Sequence, residues 1–249
     1  MKANTENMIT EIDPLAGNSG PLVLWTMLME RTVYDKAVNA LIEVSMLAGK
    51  LGYFHISIPY ARVDSARNIA AAVFMNNTSH PDDTLIMLDC DHAHPPDVLP
   101  RLAMRSEGVV AALAVRRSKP HDPLWFVRGD DGKLRQPAEF EPAVYECDAV
   151  ATCAIAIKRW VLEKLKAEGH PYPFRYNYKE TDHGWLSSED MYFAEICEKA
   201  GIRHHVDCSL VTPHLALTAH DLDSWERYRA EHPESSKEWE DSNDSINSS

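Results

Sequence analysis

Leu85-Ile86-Met87-Leu88-Asp89-Cys90-Asp91-His92-Ala93-His94-Pro95-Pro96-Asp97 runs four apolar residues straight into two aspartates and then a double proline. Four continuous apolar residues bounded by polar punctuation suit a strand buried on both faces. Carboxylates follow where open α/β sheets place their ligands, at the carboxyl ends of the strands. Side chains repeat with a period of two along a strand, so Asp89 and Asp91 are expected on one side. Two carboxylates there can hold a divalent cation. Pro95 and Pro96 stop the strand and allow a short helix to begin, because proline is tolerated in a first helical turn. An Asp-x-Asp also describes an ordinary acidic turn, so the rest of the chain has to separate the two readings.

Upstream of this stretch, 21–29 is apolar and strand-like, and Tyr34 to Leu47 carries apolar residues at helical spacing, closed by Gly49 and Gly52. Tyr53 to Ile58 reads as a second strand stopped by Pro59, and Asp64-Ser65-Ala66-Arg67-Asn68 opens an alanine-rich helix to about Met75. Downstream, Pro96 to Met104 reads as a short helix and Gly108 to Val115 as another buried strand. Strand and helix alternating in this way predict α/β architecture, a mixed, mainly parallel Rossmann-like sheet flanked by helices. The pattern then changes. Leu124 to Leu134 looks like a hairpin with Gly129-Asp130-Asp131-Gly132 at its tip, followed by strands over 145–150 and 152–157 and a helix over 159–167. The segment 170–187 is long, aromatic and without periodicity, as functional loops often are. A helix over 188–200, a strand over 203–210 and a helix over 221–230 complete the chain. The expected organisation is a flexible arm over 1–20, one domain over 21–230 and a disordered acidic tail over 231–249.

At 249 residues the chain can bury a sizeable core. No apolar run approaches bilayer length, and the polar, acidic first eighteen residues do not resemble a signal peptide. Five cysteines without paired spacing argue against a disulfide framework, so a soluble cytoplasmic protein is expected (in a host cytoplasm if phage-encoded). The formal net charge of −13 disfavours non-specific nucleic-acid binding. Arg116, Arg117 and Lys119 read as a solvated basic loop.

Three separated signals remain: Asp89-Cys90-Asp91 at a strand end, Ser188-Glu189-Asp190 opening a helix, and His214 after the last strand. Their order resembles the GT-A glycosyltransferases close to family 2, over roughly residues 21 to 215. Ala66-Arg67-Asn68 is similar to the segment that precedes the family's acidic strand. Asp89-Cys90-Asp91 with Pro95-Pro96-Asp97-Val98-Leu99 resembles its acidic motif and proline-started helix. Ala156-Ile157-Lys158-Arg159 with Val161-Leu162 resembles the following strand-to-helix step. Ser188-Glu189-Asp190-Met191-Tyr192-Phe193, continuing to Ala200-Gly201-Ile202, resembles its acidic helix. The chain departs from the pattern at Ala151-Thr152-Cys153, where many members have glycine, and at Thr26-Met27-Leu28-Met29-Glu30, which does not spell the usual loop.

The resemblance implies a metal-dependent enzyme that moves one sugar from a nucleotide sugar to an acceptor hydroxyl by direct displacement. It implies Asp91 and His214 as ligands of Mn²⁺ or Mg²⁺, Asp89 facing the nucleotide, and Arg67 as a nucleotide contact. It implies Asp190, with Glu189 beside it, as the base. Trp185 is the candidate to stack on the acceptor. The acceptor is open among a glycan, a protein, a metabolite and a hydroxymethylated DNA base. Each residue also has a plainer reading. Ser187-x-x-Asp190 fits a helix cap, Arg67 could pair with Asp64, and His214 is one of twelve histidines. Rival functions are a nucleotidyltransferase, whose glycine- and lysine-rich first loop is absent, and a non-catalytic nucleotide-sugar-binding protein.

Overall fold

The computed structural model describes residues 21–28, 34–178, 186–215 and 222–233. The elements in chain order are β1 (Val23–Leu28), α1 (Asp35–Lys50), β2 (Phe54–His55), α2 (Val63–Asn77), β3 (Thr84–Asp89), α3 (Val98–Ala103), β4 (Val109–Leu113), β5 (Trp125–Arg128), β6 (Leu134–Arg135), β7 (Val144–Cys147), β8 (Ala149–Val150), β9 (Ala154–Lys158), α4 (Arg159–Ala167), β10 (Asn177–Tyr178), β11 (Leu186–Ser187), α5 (Glu189–Lys199), β12 (His204–Val211) and α6 (Leu222–Glu231). The expected tail therefore begins on the last residue of α6, and beyond Pro233 it lies outside the described residues.

The central sheet has seven strands in the order β2-β1-β3-β9-β4-β12-β7. β1, β2, β3, β4 and β12 run in one direction, whereas β9 and β7 oppose their neighbours. The expected mainly parallel α/β sheet is thus present, with β9 inserted antiparallel between β3 and β4. The apolar runs are continuous because both faces are covered. On one face Leu85, Met87, Val109, Ala111, Ile155 and Ile157 pack with residues of α2, α4 and α5. On the other, Ile86, Leu88, Val110, Ala112, Ala154 and Ala156 pack with Val44 and Ala48 of α1 and Val98, Leu99 and Leu102 of α3. This alternation decides where the first aspartate goes. Asp89 continues the parity of Leu85 and Met87, so it leaves the sheet toward α2 and α5.

Two local features deliver the remaining site residues. Ser188 caps α5, its hydroxyl accepting from the Met191 N–H, with Glu189 and Asp190 in the first turn. Acidic side chains there complement the partial positive charge of the helix start. Gly201, at φ 66°, ends the same helix in the left-handed region that other residues avoid. In β12 the register against β4 shifts between Asp207 and Val211, where Asp207 accepts from the Ser209 N–H at 3.0 Å. A bulge of this kind re-aims a strand end. Here it brings Pro213 to Leu215 alongside Asp91 to Ala93, held by Ala93 N–H to Pro213 O at 2.9 Å and Leu215 N–H to Asp91 O at 2.7 Å. Away from this edge, β5 pairs with β6 as the expected hairpin and also with β8.

Candidate active site

Asp89 and Asp91 do not converge as the period of two predicts. β3 ends at Asp89, so Asp91 belongs to the turn that follows, and the two carboxylates enter different groups. Asp89 is engaged by Arg67 of α2, whose Nη2 donates to both carboxylate oxygens at 3.0 and 3.1 Å. The Arg67 Nη1 donates to the Thr152 carbonyl at 3.0 Å, and its Nε lies 3.6 Å from Glu189. Arg67 is only 2% exposed. Burial opposes its charge, but Asp89, Asp190 and Glu189 outweigh that and raise its pKa. An arginine enclosed in this way is taken up by Asp89, the Thr152 carbonyl and Glu189, and leaves little surface for the direct nucleotide contact expected of it. It does not pair with Asp64, which Arg62 holds at 2.5 Å. Burial pushes the Asp89 carboxyl up against the pull of Arg67 and His92. His94, whose own pKa is lowered by burial to about 3, ties its Nε2 to the Asp89 carbonyl at 2.8 Å. As the neutral donor it fixes the end of β3.

Glu189 and Asp190 sit across Arg67 from Asp89. The Asp190 Oδ1 accepts from the Thr152 hydroxyl at 2.6 Å. Ser188 already caps the helix, so Asp190 is not needed for that role. Glu189 is buried, and its pKa is pushed up to about 7 by burial and then by the charge of Asp190. It also hydrogen-bonds Asp190 and the Tyr176 hydroxyl, and burial together with Glu189 raises that phenol to about 12. Glu189 therefore keeps its proton close to neutrality, lying inward beside the half-buried Asp190. Trp185 lies outside the described residues.

The second group is Asp91, His92 and His214, whose ligand atoms lie within 4.8 Å of one another. The His214 Nε2 is 3.0 Å from Asp91 Oδ2, and its Nδ1 is 3.3 Å from the Val115 carbonyl. A carbonyl on Nδ1 selects the tautomer that keeps the proton there and turns the Nε2 lone pair toward Asp91. Two lone pairs at that distance repel unless a cation lies between them. Adjacent donors around an octahedral ion with bonds of about 2.1 Å stand about 3.0 Å apart, so the two side chains fit a divalent metal. His92 plays a different part. Its Nδ1 holds Asp91 Oδ1 at 2.8 Å, and its ring stacks on His214 with centroids 4.3 Å apart and planes 19° apart. The in-plane lone pairs of stacked rings run side by side and do not meet at one ion, so His92 orients Asp91. Against the effect of burial, the His214 and His92 side chains beside it hold the Asp91 carboxyl well below the usual range.

Sequence reasoning missed Thr152, His92 and Arg117. Thr152 stands at the departure from the resembled pattern and was visible there. Arg117, set aside in a basic loop, donates to Asp91 Oδ2 at 2.5 Å and to His214 Nε2 at 3.0 Å. All five cysteines are buried and none forms a disulfide. Among the described residues no helix is long and apolar enough to cross a membrane.

No protein-family model matches the chain, and no curated protein does. Among solved structures it is similar to a nucleoside-diphosphate-sugar pyrophosphorylase from Vibrio cholerae RC9, with 17% identity, 84% of this chain and 80% of that one covered, and a TM-score of 0.37. It is also similar to a 4-diphosphocytidyl-2C-methyl-D-erythritol synthase from Anaerococcus prevotii, with 8% identity, 75% and 87% covered, and a TM-score of 0.36. A further structure of a 4-diphosphocytidyl-2C-methyl-D-erythritol synthase has 10% identity, 78% and 90% covered, and a TM-score of 0.40. Likenesses this loose say nothing of function, which has to be argued from the side chains themselves.

Proposed function

We propose that the chain is a metal-dependent glycosyltransferase, moving one sugar from a nucleotide sugar to an acceptor hydroxyl by direct displacement. The observation that carries this reading is the joining of two groups by one buried arginine. Arg67 ties Asp89, beside the Asp91–His214 pair, to the Glu189–Asp190 pair at the start of α5. Asp91 and His214 would hold the ion, and a carboxylate with an imidazole favours Mn²⁺ over Mg²⁺. When bound, the ion would neutralise charge that develops on the departing nucleoside diphosphate. Asp190 would take the proton of the acceptor hydroxyl. Thr152 holds one of its oxygens, and burial pushes Glu189 beside it toward the protonated form, so Asp190 is the member left to act as base. Asp89, with its side chain 23% exposed, faces the donor while Arg67 anchors it from behind.

The experiment is a thermal-shift screen of nucleoside diphosphates and nucleotide sugars with and without Mn²⁺, followed by assay of the released product. A ligand specific to the folded state raises the melting temperature by mass action. One nucleotide should give a Mn²⁺-dependent shift that Asp91→Asn abolishes. Asp190→Asn should keep the shift and lose transfer. Nucleoside diphosphate is the expected product. Release of pyrophosphate from a nucleoside triphosphate and a sugar phosphate would instead make the chain a nucleotidyltransferase. A shift without any turnover would make it a binding protein.

A further inference from the structure

We propose that Arg117 stands in for the metal at the Asp91–His214 pair, must leave when the ion arrives, and then becomes a partner for the diphosphate. This rests on the metal-dependent reading above and adds a residue that the reading does not use. Arg117 donates from Nη2 to Asp91 Oδ2 and from Nε to His214 Nε2. Those are the two atoms that a cation would bind. The planar guanidinium bridges them as a fork, and its positive charge resolves the lone-pair conflict between them as an ion would. Ion and guanidinium cannot share these atoms.

The exchange needs only a side-chain rotation. The Arg117 side chain is 47% exposed, so it has a path to solvent. The backbone around it is fixed by Arg116 N–H to Asp122 O at 2.8 Å, by His121 N–H to Ser118 O at 3.0 Å, and by Leu124 N–H to Ala114 O at 2.9 Å. His121 and Lys119 of the same loop pack on Tyr228 of α6. A guanidinium displaced from an anchored loop stays beside the site with its donors unfilled. An oxyanion chain such as a diphosphate, brought by the ion, is the ligand chemistry that would fill them.

One substitution should therefore have two effects of opposite sign. In Mn²⁺ titrations of the full chain, followed by the electron paramagnetic resonance of free Mn²⁺, Arg117→Gln should bind Mn²⁺ about tenfold more tightly than the parent, the scale of one charge-assisted hydrogen bond removed from a competitor. With Mn²⁺ saturating, calorimetric titration with inorganic pyrophosphate should show Arg117→Gln binding about tenfold more weakly. Arg117→Lys keeps the charge without the fork and should fall between on both scales. If Arg117→Gln leaves Mn²⁺ affinity unchanged or lower while Asp91→Asn abolishes it, the metal site stands and the stand-in role is overturned. Tighter Mn²⁺ with unchanged pyrophosphate binding overturns the hand-over. If the parent and Arg117→Gln alike lack a Mn²⁺ site sensitive to Asp91→Asn, the metal reading falls and takes this inference with it.

Discussion

Glu189→Gln tests whether one carboxyl of the site is held protonated by its surroundings. The Glu189 side chain is 8% exposed and neighbours both Asp190 and Arg67. Burial, then the charge of Asp190, pushes it from an ordinary value of 4.5 to about 7. A folded-state value above the unfolded one means that the folded chain binds the additional proton in that interval. Its contribution to stability is thus fully present below about 4.5 and is lost as the pH rises through about 7. A shift of this size corresponds to roughly 3 kcal/mol, and relaxation around the pair brings the expectation to about 1–3 kcal/mol. Glutamine has the same shape, cannot ionise, and can still donate to Asp190. Glu189→Gln should match the parent at pH 5 and exceed it by about 1–3 kcal/mol at pH 8. Urea unfolding followed by circular dichroism at pH 5, 6, 7 and 8 measures the difference directly, because titrating groups that do not touch Glu189 cancel in the comparison. A difference that stays constant across this range, or a Gln variant less stable than the parent at pH 8, would refute the account of a protonated Glu189.

Arg67→Met should cost about 3–5 kcal/mol in the same assay, because it strands a partly buried Asp89 carboxylate and the Thr152 carbonyl. Adding Asp89→Asn should return at least about 1 kcal/mol of that, and strictly additive losses would deny the coupling. Gly108→Ala should lower stability by about 1–3 kcal/mol, since its Cβ would lie 2.3 Å from Cζ2 of Trp160 and 2.8 Å from Cγ2 of Val161. Trp160→Leu in the same chain should recover part of the loss, and a melting temperature unmoved by Gly108→Ala would show that the close approach is not there.

The elements that could be read from the chain are those whose signal is local. β3, β4 and β9 are continuous apolar runs, and α4 falls on Arg159–Ala167 as its spacing predicts. What could not be read depends on where a strand stops and on what lies across the sheet. The run 145–150 was expected as one strand, yet β7 pairs with β12 and β8 with β5. Asp148 stands at the break, accepting from the Arg128 N–H at 2.6 Å and from Arg203 at 2.8 Å, and no periodicity reports those partners. Tyr53 to Ile58 shrinks to Phe54–His55 because it pairs only with β1, at the rim of the sheet. The same limit separates the two aspartates. Parity along β3 correctly sends Asp89 to the α2 face, where a buried arginine waits. It fails at Asp91 because the strand has ended, and the bulge in β12 then decides that residue's neighbours. The Asp-x-Asp thus divides its labour by one geometric fact. The residue still in the sheet is locked to the scaffold, whereas the residue just beyond it is left with partners that an ion can replace.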